Sequence, residues 1–149
     1  MYKTILVPLD GSKRAEAILS HVEEMATILG ARIILLTCIE QKLVNPGAMA
    51  TSVIGHKEDD MVQQTKTAKS YLQEVQMKLE QQGLKVSTTI TQGPPVEVIL
   101  TVAAQENADL IAVASHGRSG LGRVFYGSVA AGLLQRVDRP LLIIRAQEG

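Results

Sequence analysis

The chain has 149 residues, 46% of them hydrophobic, which suits one folded domain and excludes a disordered chain. Its formal net charge is zero, which argues against nucleic-acid binding through a broad basic surface. One cysteine, Cys38, leaves no disulfide framework or cysteine-rich metal site within the chain, and aromatics at 3% require an aliphatic core.

"TILVPL" (4–9) predicts a buried strand. It is too short for a signal peptide, and no stretch reaches the roughly 18 apolar residues of a membrane span, so the expectation is a soluble cytoplasmic protein. Ala15, Ile18, Val22, Met25, Ala26 and Leu29 recur at helical spacing and predict a helix over 12–29, stopped by Gly30. "RIILLTCI" (32–39) is a continuous apolar run, as a strand covered on both faces should be. Residues 40–57 show neither period, carry Asn45, Pro46, Gly47 and Gly55, and read as a long loop. Met49, Val53 and Ile54 would let that loop serve as a lid or a partner surface.

A helix over 58–82 follows, with a seam of Val62, Thr65, Ala68, Leu72, Val75 and Leu79. Asp59 and Asp60 would complement the dipole at its start. "KVSTTI" (85–90) alternates, as an edge strand does. Pro95 to Glu106 reads as a helix with proline in its first turn, and "DLIAVA" (109–114) as another buried strand. Ser128 to Val137 predicts a helix with Val129, Ala130, Leu133, Leu134 and Val137 on one stripe, before the last strand, "PLLIIR" (140–145). The expectation is a single α/β domain over 1–149. It is a doubly wound, five-stranded parallel sheet of order 3-2-1-4-5 with four helices.

Such sheets bind ligands at the carboxyl ends of the strands, where the chain order reverses. Here that is between the first and fourth strands, where "PLDGS" (8–12) meets "SHGRSG" (115–120). Gly117, Gly120 and Gly122 permit close approach of a backbone to phosphate, and Gly127-Ser128 opens a helix whose first amides lack partners. Lys13, Arg14, Arg118 and Arg123 supply positive charge. No P-loop is present, and G-x-G-x-x-G fails because Phe125 stands at its third glycine. The three histidines lack metal-ligand spacing.

"KTILVPLDGS", "IILLTCI", "TQGPPVEVIL", "SHGRSGLGRVFYGSV" and "RPLLIIR" together resemble the universal stress protein family along the whole chain. ATP-binding members carry G-x2-G-x9-G-[ST]. Gly117, nine residues, then Gly127-Ser128 match it, while Ala114 stands at the first glycine. The resemblance implies an adenine-nucleotide site. Pro8, Leu9 and Cys38 would line the adenine pocket, and Asp10 would bond ribose or base. Ala114, His116, Gly117 and Arg118 would approach ribose and phosphates, and Gly127, Ser128 and Val129 would cradle the last phosphate. It also implies ATP, ADP or AMP as ligand, with Mg2+ or Mn2+ held through the phosphates, and little catalysis.

A homodimer through the last strand, Leu141–Ile144, would cover an apolar sheet edge. Departure at Ala114 motivates an alternative, a nucleotide-independent stress or chaperone-like interaction module. An enzyme is not expected, since Asp10 and His116 are the only candidate bases near the crevice.

Overall fold

The computed structural model describes residues 2–40, 50–116 and 127–146, without the side chains of 50–59 and 116. Five parallel strands, β1 (Thr4–Pro8), β2 (Arg32–Ile39), β3 (Val86–Gln92), β4 (Leu110–His116) and β5 (Leu141–Ala146), form one sheet of order β3-β2-β1-β4-β5. The helical segments are α1 (Lys13–Glu16), α2 (Leu19–Leu29), α3 (Ala50–Glu80), α4 (Pro95–Gln105) and α5 (Gly127–Arg136). The sheet order and strand direction are those the alternation of elements predicts.

Period-two alternation sorts the central strands between two cores. Ile5, Val7, Ile33 and Leu35 face a cluster that includes Ile18, Val22 and Ala26 and, from α3, Leu72, Val75 and Leu79. Leu6, Ile34, Leu36 and Ile111 face the other, with Val98, Ile99 and Val102 of α4 and Ala130 and Leu133 of α5. Register is tight in the middle of the sheet, where Leu6 pairs with Ile34 on one side and Ile111 on the other. A one-residue slip would turn every one of these side chains to the wrong face.

Several local readings change; Leu134, expected on the stripe of the last helix, is exposed. The helix expected over 12–29 tightens at Ala17 and Ile18, whose amides bond Arg14 and Ala15 three residues back, 3.1 and 3.3 Å. Both residues keep helical dihedrals, so the chain passes from α1 to α2 through a 3₁₀ turn and not a break. Helix α3 starts at Ala50, so 50–57 is helix and not loop. Gly55 lies inside this helix, which tolerates one glycine at a cost of about 1 kcal/mol. Asp59 and Asp60 therefore lie inside the helix and cannot complement its start, and Val62 is 55% exposed and outside the buried seam. Residues 41–49, including Met49, lie outside the described residues, as do the side chains of Val53 and Ile54.

Polar clasps join the amino-terminal edge of the sheet. The Asp109 carboxylate accepts the Lys3 and Thr4 amides at 2.7 and 2.9 Å, fastening the entry of β4 to that of β1. Those two bonds, above all, hold its carboxyl below the usual carboxylate range. Arg139 donates Nη1 to the carbonyls of Ala103 and Ala108, 3.0 and 2.9 Å, closing the end of α4 against the entry of β5.

Helices α4 and α5 approach closely at Gly132, where a Cβ would sit 2.6 Å from Val96 Cγ2. Valine is stiff at χ1 and cannot swing aside cheaply. Gly132→Ala gains up to about 1 kcal/mol of helix propensity but overpacks this contact at about 1–3 kcal/mol, so net destabilisation is expected. Urea unfolding should show it, and the double variant with Val96→Ala should recover part of the loss. A more stable Gly132→Ala would mean the contact is loose.

Candidate functional site

β1 ends at Pro8 because proline cannot donate onward in a ladder. The chain stays docked one residue further: the Leu9 amide donates to Leu36 at 2.8 Å, and the buried Thr37 hydroxyl donates to the Leu9 carbonyl at 2.9 Å. The turn then closes on itself. Asp10 Oδ1 accepts the Ser12 amide at 2.8 Å, and Ser12 Oγ accepts the Ala15 amide at 3.1 Å, capping α1. Asp10 is thus held at the carboxyl edge of the sheet, exposed on one side.

A cavity of about 520 Å³ opens at this edge, a size suited to a small-molecule ligand. Its walls include Pro8, Leu9, Asp10, Cys38, Ala114, Gly127, Ser128 and Val129, eight of the residues singled out from the sequence. They come from three strand exits and one helix start, brought together because β1 lies between β2 and β4. His116 closes β4, its side chain outside the described residues; Gly117, Arg118 and the rest of 117–126 also lie outside them.

Gly127 opens α5 at φ 73°, a left-handed conformation that glycine adopts without strain. The residues that follow it, Ser128, Val129 and Ala130, also line the cavity, so the helix start, whose first amides lack intrahelical partners, borders the ligand space. Ala114 answers the question raised by the motif. Among the described residues Asn107 is the only non-glycine with positive φ, so Ala114 keeps ordinary strand geometry, paired with Ile144 of β5. Its methyl packs against apolar neighbours and makes no demand on the backbone.

The sequence missed Glu40 and Gln64, which bring polar groups to the wall, and the apolar Ala15, Leu36, Pro95, Ile99, Val113 and Ala130. Glu40 follows the predicted end of the second strand, so its position was available as a signal. Gln64 lies on a helical face that reads as solvated, and nothing local marks it. Asp10, Cys38 and Gln64 are shared with a second cavity of about 380 Å³, floored by Thr37 and Ile39 and walled by α3. Tyr71 lines that second cavity with its hydroxyl buried and the Glu16 carboxylate close by. Burial, and then the charges of Glu16 and Asp10, push that phenol up.

Among the described residues no three His, Cys, Asp or Glu side chains gather as a metal site. No described helix is long and apolar enough to cross a membrane.

Comparison with known proteins places this arrangement. A model of the universal stress protein family matches residues 1–145. Universal stress protein MJ0577 of Methanocaldococcus jannaschii is 30% identical, over 97% of this chain and 96% of the relative. The solved structure of MJ0577 superposes with a TM-score of 0.84 over 100% of this chain and 99% of its own. Two more distant structures share the fold. One is a universal stress protein in complex with cAMP (22% identity, TM-score 0.71, 98% of each chain). The other is a universal stress protein from Archaeoglobus fulgidus in complex with dAMP (19%, TM-score 0.67, 96% and 98%).

Burial, and secondarily the Glu40 charge, push the Cys38 thiol up to about 11. The reactive species is the thiolate, so alkylation of this single cysteine should be slow at neutral pH. Its rate should keep climbing with pH to about 11, past the value near 8.5 where a free thiol levels off. Iodoacetamide labelling followed by mass spectrometry measures this, and a plateau near pH 9 would contradict the assignment.

Proposed function

The chain belongs to the universal stress protein family, and on that footing we propose that it is a dimeric regulator that binds ATP or a related adenine nucleotide, ADP or AMP. The site is the cavity at the exits of β1, β2 and β4. The observation that carries the reading is the convergence of Pro8, Asp10, Cys38 and Ala114 with the start of α5, at Gly127 and Ser128, on one cavity of suitable size. The apolar walls of Leu36, Cys38, Ile99 and Val113 suit a purine. The amides and the Ser128 hydroxyl at the α5 start suit phosphate oxygens. The complexes of two relatives with cAMP and dAMP support the same ligand class. A divalent cation, Mg2+ or Mn2+, would then be held through the phosphates.

The reading includes no catalytic step. Cys38, the thiol in the cavity wall, is held protonated at neutral pH by its burial. With one half-buried cysteine and no disulfide partner, the protein suits a reducing compartment, the cytoplasm.

Dimerisation is proposed through β5. It is an edge strand whose Leu141, Leu142, Ile143 and Ile144 are all partly exposed, against the habit of protecting apolar edges.

Calorimetric titration with Mg-ATP should give saturable binding, weakened about tenfold by Ser128→Ala through loss of one charge-assisted hydrogen bond. Folded protein that takes up no nucleotide at about millimolar concentration would end the nucleotide reading. Sedimentation should show a dimer that Ile143→Lys converts to monomer, since a buried lysine in the pairing edge is costly. A monomeric wild type would remove the dimer from the proposal.

A further inference from the structure

We propose that Glu40, together with Asp10, makes this cavity select adenine nucleotides whose phosphates all hang from the 5′ carbon, against those carrying a phosphate monoester on the ribose 2′ or 3′ oxygen. The inference rests on the nucleotide reading above and adds the residue that discriminates.

The cavity is electrically lopsided. Its only charged walls among the described residues are the carboxylates of Asp10 and Glu40. They stand at the exits of β1 and β2, whereas α5 begins beyond β4 on the opposite side of β1. The helix start at Gly127 and Ser128 presents partial positive charge and unpartnered amides. A nucleotide therefore lies with its anionic tail toward α5 and its sugar and base toward β1 and β2.

In that orientation the ribose hydroxyls find acceptors, because ionised carboxylates only accept hydrogen bonds. A monoester phosphate on the same sugar meets the two negative charges of Asp10 and Glu40. Like-charge contacts of this kind are what excludes wrong partners at charged sites. Glu40 is exposed, yet its charge is felt in the wall, where it adds to burial in raising the Cys38 thiol.

ADP and adenosine 3′,5′-bisphosphate are isomers that differ in where the second phosphate sits, and the change in their affinity ratio on removing the Glu40 charge reads its part in the choice. Titration calorimetry of each should show ADP bound more tightly by about tenfold or more in the wild-type protein. The ratio should narrow to about threefold or less in Glu40→Gln, and in wild-type protein at about 0.5 M salt, where screening shortens the reach of both carboxylates. Equal affinities in the wild type, or a ratio that Glu40→Gln leaves unmoved, would overturn the proposal while leaving nucleotide binding intact. Failure of ADP itself to bind would remove the underlying reading and this proposal with it.

Discussion

The position of β1 between β2 and β4 is the constraint on which the rest of the structure depends. A five-residue strand, buried on both faces, pairs in parallel with a strand reached by one crossover and with another reached after three. Right-handed crossovers that leave it in opposite directions must part at its carboxyl end. The parting leaves a gap that no crossover covers, and the exits of three strands and the start of α5 line it. The apolar run "TILVPL" thus does two jobs: its alternating side chains seed both cores, and its Pro8 and Leu9, with the Asp10 that follows, form one wall of the gap.

Much of this was legible in the sequence, and the reasons differ by element. The strands were readable because the central ones are buried on both faces, which forces runs that are apolar nearly throughout, with small hydroxyl residues such as Thr37 the exceptions. The edge position of β3 was readable because partial exposure leaves an alternating pattern. Helix boundaries were harder. Gly55 and the absence of a clear seam hid the first turns of α3, and Val62 falls at seam spacing while pointing out, because hydrophobic period does not say how far the sheet beneath extends. The turn at Ala17 and Ile18 left no mark, since both residues are good helix formers with helical dihedrals.

The site divides in the same way. Residues carried on strand exits and at the α5 start were found, because topology and motif spacing each point there. Glu40 was missed although its place just after the second strand pointed to the strand exits, and Gln64 because a single polar residue on a solvated helix face carries no local signature. What brings them to the cavity is the packing of whole elements. Ala114 shows the reverse limit: a motif departure that looks serious as a letter is mild as geometry, since the position is ordinary extended strand.

The clasps made by Asp109 and Arg139 all lie at the amino edge of the sheet, opposite the cavity. With Arg32, whose guanidinium reaches the Thr4 hydroxyl at 3.1 Å and the Glu106 carbonyl at 3.2 Å, they tie four of the five strand entries to their neighbours through ionised groups. That edge of the sheet is therefore pinned by bonds in which one partner is charged, each stronger than a neutral bond. None of the groups that make them lines the cavity, so the frame beneath the ligand space is secured from the far side and leaves the cavity wall free of that duty.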